Sequence, residues 1–198
     1  CKTIGPSAFK SFNGTVNLDG NVKSIAGNAF YNQYNNDNFQ VNANLRGITS
    51  IDWNNNFYDI KGGNISLEVN NVEIIQSTFS SCNARINISG TIQNIYQGAF
   101  DNCSAEIKIS GTIKSIGNKA FDNCNETIIE LYNSSIISID KNPNSGGYRS
   151  TIYVLPSLVE KYNNKDIYAN FEDLSDNQAQ TINDVKYAVR SNAAEFEV

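Results

Sequence analysis

Cys82, Cys103 and Cys124 stand 21 residues apart, and evenly spaced thiols are the first place to look for a metal, a disulfide or a nucleophile. The chain has no His and no Cys-x-x-Cys, so it offers no ligand set at tetrahedral zinc spacing. Three equivalent thiols also leave one unpaired in any disulfide scheme. They are expected to be reduced and buried as small hydrophobes, stacked one strand spacing apart, roughly 4.8 Å. General acid or base work lacks its usual His, and neither a Gly-x-Ser-x-Gly elbow nor a Gly-rich phosphate loop occurs. Glu106 and Glu130 could face one another on neighbouring strands, but an open sheet gives such a pair no enclosed pocket. No catalysis, metal or cofactor is expected.

The equal spacing of the thiols points to the elements that would position them. The stretch Ile95-Tyr-Gln-Gly-Ala-Phe-Asp-Asn-Cys103 recurs as Ile116-Gly-Asn-Lys-Ala-Phe-Asp-Asn-Cys124, and a weaker copy ends Thr78-Phe-Ser-Ser-Cys82. Upstream copies extend the ladder of phenylalanines to 9, 30, 57, 79, 100 and 121. Each repeat has three parts. In Glu106-Ile-Lys-Ile-Ser110 apolar and polar residues alternate, as in a half-buried strand. Gly111 permits a turn into Ile113-Lys-Ser-Ile116, and Ala120-Phe121 reads as a short helical turn that sends Phe into the interior. One coil alone leaves an apolar face uncovered, so stability must come from stacking coils.

The motif Ile-x-x-Ile-Gly-x-x-Ala-Phe-x-x-Cys, as in Ile113 to Cys124, resembles the BspA-like leucine-rich repeat family. The resemblance covers residues 1–171 and implies a solenoid of leucine-rich-repeat type, with about 21–24 residues per coil, built mainly of short parallel strands and short helical turns. Residues 1–155 would form the solenoid and 156–171 its cap, where Thr151-Ile-Tyr-Val-Leu155 leads into a turn begun by Pro156. Residues 172–183 are polar and aperiodic and read as a linker. Alternation of Val185, Tyr187 and Val189, then of Ala194, Phe196 and Val198, gives residues 184–198 a β-hairpin signature, the start of a further repeat block in proteins that look like this one. The coil around residues 53–63 is longer and lacks Ala-Phe, so bulging is expected there. With no Met and with Cys1 first, the chain is expected to be a processed product or a fragment, and a lipid on Cys1 competes with a plain core role.

Composition narrows the partners. Net charge is −5 and charged residues make up only 18%, with no basic run to meet a nucleic-acid backbone. No apolar stretch approaches the roughly eighteen residues of a membrane-spanning helix. Strand alignment puts Asn17, Gln40, Ser66, Asn87, Lys108, Glu130 and Tyr153 in one outward column of a concave parallel sheet. Amides and hydroxyls dominate its first half. Lys108, Glu130, Tyr132, Tyr153 and Leu155 gather at the C-terminal end, and aromatics beside opposite charges are common anchors of protein interfaces. A protein or glycan ligand on a host, matrix or neighbouring cell would dock there, since the resemblance implies an extracellular or cell-surface adhesion module.

Two further features bear on this reading. Sequons stand at Asn13, Asn64, Asn87, Asn102, Asn125 and Asn133 and become glycosylation sites if the protein is secreted by a eukaryote; glycans on Asn64 and Asn87 would obstruct the sheet. In the alternative, the chain is a structural subunit of an extracellular filament or layer. It would join head to tail through an uncapped first coil and the hairpin, with Tyr187, Val189, Phe196 and Val198 filling apolar positions on the neighbour.

Overall fold

A computed structural model describes residues 2–52, 55–144 and 150–174. In chain order the elements are β1 (Thr3–Ile4), β2 (Thr15–Asn21), β3 (Ser24–Ile25), β4 (Gln40–Ile48), β5 (Ser50–Ile51), β6 (Gly62–Ile74) and β7 (Arg85–Ile95), followed by β8 (Ile107–Ile116), β9 (Thr127–Leu131), β10 (Ser138–Ile139), β11 (Thr151–Val154), the helix α1 (Pro156–Asn163) and β12 (Asn170–Asp173). All the pairings are parallel. The main sheet runs β12-β11-β9-β8-β7-β6-β4-β2, and β1-β3-β5 form a second, narrow sheet. The chain is therefore a parallel β-solenoid of about eight turns.

Glycine sets the shape of the middle coils. β7 and β8 each bend at a glycine, Gly90 and Gly111, so one strand serves two faces. At Gly111, with φ +144°, an added Cβ would sit 1.9 Å from the Gly90 carbonyl oxygen. Only a residue without a side chain lets the coils approach this closely. Beyond the bend, Ile74, Ile95, Ile116 and Ile139 lie in register, extending the inward column that Ile4, Ile25 and Ile51 form in the narrow sheet.

The third side of each coil is a turn wrapped around phenylalanine. Ser77 and Ser81, Gly98 and Asn102, and Lys119 and Asn123 all have positive φ; each pair lies four residues apart and flanks Phe79, Phe100 or Phe121. The Phe100 N–H donates to the Ala120 carbonyl at 2.9 Å, and Phe79 to Ala99 at 2.8 Å, so main-chain bonds tie corner to corner. The rings follow. From Phe9 to Phe121 successive centroids lie 5.3, 4.8, 4.9, 4.9 and 5.1 Å apart with interplanar angles no greater than 19°. All except Phe9 are fully buried.

The irregular coil keeps its ring in this stack although it lacks Ala-Phe. Asn56 replaces the alanine, is fully buried, and answers both ends of its amide: Oδ1 accepts from the Ala29 N–H at 3.0 Å and Nδ2 donates to the Asp52 carbonyl at 2.8 Å. A satisfied buried amide is tolerated where an orphan would not be. The register shifts of this region fall in β4, between Leu45 and Ile48, and in β6, near Asn70, rather than within the described part of residues 53–63.

At the C-terminal end Pro156 opens α1, as its fixed φ favours. Tyr162 stacks on Phe171 at 4.7 Å and its hydroxyl accepts from the Ile137 N–H at 2.8 Å. β12 pairs with β11 through Asp173, so strand structure continues two residues past the boundary read at 171. The hairpin and its residues Tyr187, Val189, Phe196 and Val198 lie outside the described residues, as does Cys1.

Candidate partner-binding face

The outward residues of the main sheet form several columns, and the register between strands decides which side chains meet. Ser66, Asn87 and Lys108 are aligned, as are Glu130 and Tyr153. Three steps of the expected column are slipped, by two residues after Asn17 and after Lys108 and by four after Gln40, which pairs with Gly62 while Ser66 lies beside Asn44. Asn17 pairs with Asn42, leaving Gln40 beside Thr15, and Lys108 pairs with Ile128, leaving Glu130 beside Ser110. An even slip preserves the in-out alternation, so the apolar pattern alone could not expose it. The structural cause at β9 is a repeat one residue shorter: Ile107 pairs with Thr127, and Thr127 turns inward where the preceding coils carry isoleucine.

The slip does not separate the charged and aromatic side chains. Lys108 Nζ reaches diagonally to Glu130 Oε1 at 3.0 Å, and the Tyr132 hydroxyl donates to Glu130 Oε2 at 3.3 Å. Glu130 is only 8% exposed, so its charge is held by neighbours rather than by water. Tyr153 lies between Glu130 and Glu172 in register. Partial burial first, and then Glu172 and Glu130, push its phenol above the ordinary range. Leu155 stands apart from this group. It precedes α1 and packs partly against the core.

The first half of the same face is an amide ladder. Asn42 Nδ2 donates to Asn17 Oδ1 at 3.0 Å, Asn44 Nδ2 to Asp19 Oδ1 at 2.9 Å, and Asn38 Nδ2 to Asn13 Oδ1 at 3.3 Å. Arg85 and Glu106, on β7 and just before β8, form an ion pair at 3.2 Å that the aligned columns now explain. Of the sequons, Asn13, Asn64, Asn87, Asn102 and Asn125 are exposed, and Asn64 and Asn87 stand on the main sheet. Asn133 is half-buried and its Oδ1 accepts from the Ile113 N–H at 3.0 Å.

The three thiols lie fully inside and unbridged. Cys103 and Cys124 donate S–H to the carbonyls of Phe79 and Phe100 at 3.0 and 2.8 Å, so each thiol ties its coil to the one before. Burial pushes the Cys82 thiol up to about 12 and that of Cys103 well above its ordinary value. A thiolate is the reactive form, so Cys82 and Cys103 suit packing rather than reaction. Among the described residues no three His, Cys, Asp or Glu side chains converge on a common point for a metal, and no helix is long and apolar enough to cross a membrane.

Sequence reasoning missed a second polar cluster, on the face beyond the glycine bend. Glu73, Asn94 and Ser115 are in register across β6, β7 and β8, and Tyr96 stands beside them with 41% of its surface exposed. Their spacing of 21 was the available signal.

Neither a curated protein nor a solved structure matches the chain. The BspA type leucine rich repeat region matches in six copies, over residues 2–126 and 73–176. Repeat proteins of this kind are often involved in surface binding or adhesion, and such solenoids typically serve as non-catalytic scaffolds. With the coil period, the phenylalanine stack and the parallel register all agreeing with that match, the chain belongs to the BspA type leucine-rich repeat family.

Proposed function

We propose that this chain is a non-catalytic binding module of a secreted or surface protein, and that its partner is a protein docking on the C-terminal part of the main sheet. The observation that carries this reading is the cluster of Lys108, Glu130, Tyr132 and Tyr153. Tyr132 is 43% exposed, and its hydroxyl is already oriented by Glu130, so little ordering cost remains on binding. Tyrosine presents a large rigid area with a polar tip, the usual composition of an interface hot spot. The amide ladder at the other end has no aromatic bulk, and its ion pair, Arg46 to Asp19 at 3.1 Å, is exposed on both sides. The test is immobilised extracellular-matrix and host-surface proteins probed by surface plasmon resonance with the wild type and a Tyr132→Ala, Tyr153→Ala double variant. Binding lost by at least about tenfold in the double variant supports the site; unchanged binding removes it.

A second reading, end-to-end assembly, is supported by the first coil. Among the described residues β2 pairs only with β4, and Ile4, Phe9 and Leu18 line a hollow of about 290 Å³ at that end. Another repeat-bearing chain, or further coils of the same chain, would fit such an edge. Light scattering across a concentration series tests it, and a concentration-independent monomer would rule it out.

A further inference from the structure

The face beyond the glycine bend, built from the later parts of β6, β7 and β8, carries two hollows. Beside Tyr96 opens a hollow of about 580 Å³ whose walls come from three successive coils: Asn55 from one, Glu73, Gln76 and Ser77 from the next, Tyr96 and Gln97 from the third. That volume lies within the range of small-ligand sites. The other side of Tyr96 borders a smaller hollow of about 310 Å³, reaching Asn118 and Asp140. It is open because Gly117 follows Ile116 where Tyr96 follows Ile95, and Ile95 and Ile116 are in register. Tyr96 is thus a ridge between two depressions.

The ring is held in place. Its hydroxyl donates to Glu73 Oε1 at 3.0 Å, the same oxygen accepts from Asn94 Nδ2 at 3.1 Å, and Asn94 Oδ1 accepts from the Ser115 hydroxyl at 2.7 Å. The bond to Glu73 also raises the phenol's pKa. A carboxylate offers about four acceptor positions, so these two bonds leave capacity for a ligand. Asp140 Oδ2 accepts from the Asn118 N–H at 2.7 Å at the far end.

Among the described residues neither hollow is lined by Lys or Arg, and the side-chain amides outnumber the carboxylates. A cationic side chain brings donors only and would leave the amide N–H₂ groups unmatched. A sugar brings an apolar C–H face for the ring together with hydroxyls that both donate and accept. We propose that the Tyr96 ridge binds a neutral oligosaccharide, one pyranose stacked on the Tyr96 ring with its hydroxyls on Glu73 and the amides of Gln76 and Gln97.

The test uses the whole 198-residue chain and neutral trisaccharides of glucose, mannose, galactose and N-acetylglucosamine. Each is titrated to about 10 mM, well above the Kd of a weak site, and read by saturation-transfer and amide-shift NMR. At least one should saturate, with shifts at Gln76, Asn94 and Gln97. Tyr96→Ala should weaken it at least about tenfold, and Tyr96→Phe, which keeps the ring and loses the bond to Glu73, only a few-fold. Thermal melting checks that both variants remain folded. No saturation by any of the four sugars overturns the proposal, as does binding that survives Tyr96→Ala in a folded protein. Displacement of those same amide signals by a tetra-arginine peptide, with none by sugar, assigns the ridge to a cationic partner and equally overturns it.

Discussion

The coils of β7 and β8 and those of β9 to β12 solve the same stacking problem differently. In the first pair, isoleucine lies on isoleucine, glycine on glycine and phenylalanine on phenylalanine, without one break in register. In the second, the inward isoleucine column is continued by Thr127, and beside it lies Ser150, both buried with no hydrogen-bond partner for their hydroxyls. Among the described residues the Phe stack gives way to the Tyr162–Phe171 pair. Identical neighbours supply the stability, while Glu130, Tyr132 and Tyr153 stand on the coils that depart from identity. Specialisation of the face comes with a less perfect interior.

Breaking the regular coils should cost most. Phe100→Ala removes a fully buried ring stacked on both sides, and denaturant melts should show a loss of about 3–5 kcal/mol. A loss under about 1 kcal/mol would mean the stack is not what holds these coils. Gly111→Ala should cost about 3 kcal/mol, since it combines a strained φ with a contact to the Gly90 carbonyl. Gly20→Ala, with φ +136° and nothing within 4 Å of the added carbon, should cost visibly less, and equal losses would refute the close-approach account.

The thiols extend the comparison to pH. Cys82 has its thiol pKa raised from 9.0 to about 12 by burial, so the folded state holds that proton more tightly than the unfolded chain does. Its contribution is complete below pH 9 and is lost as pH rises towards 12, with a slope approaching 1.4 kcal/mol per unit. Cys82→Ala should therefore flatten the stability profile between pH 9 and 11 relative to the wild type. Equal slopes would show that the site does not shield its thiol.

Repairing the irregular end should give the smallest effect and the opposite sign. Thr127→Val removes an orphan hydroxyl and is expected to stabilise by about 1 kcal/mol. Destabilisation by calorimetry would mean that Thr127 has a bonding partner, such as an ordered water. Lys119→Gly should stabilise by a similar or smaller amount, about 0.5–1 kcal/mol. Lys119 holds a left-handed φ of 54° where the preceding coil has Gly98, and the change loses only a long ion pair to Asp122 at 3.7 Å.

The contrast also explains what could be read from sequence. The ladder from Phe9 to Phe121 and the buried thiols were legible because a fixed spacing recurs with the same residue, and stacking then follows without further information. The partners of Lys108 and Gln40 were not, because an even slip leaves alternation intact and only strand register reveals it. Leu155 reads as the outward last residue of a strand, yet the strand ends at Val154 and the turn into α1 draws Leu155 partly into the core. Tyr96 and Glu73 lie 23 residues apart, off the repeat spacing, so comparing equivalent positions never set them side by side.

The phenylalanine stack has an evolutionary consequence. Because Phe79, Phe100 and Phe121 meet their neighbours at 4.9 to 5.1 Å in nearly parallel planes, any one of them presents the surface that either of the others requires. Removing or duplicating a single 21-residue unit between them recreates the same junction, so unequal exchange within the gene can lengthen or shorten the protein without first inventing a compensating interface. The distance between its two ends is thus a quantity that selection can adjust in steps of one coil.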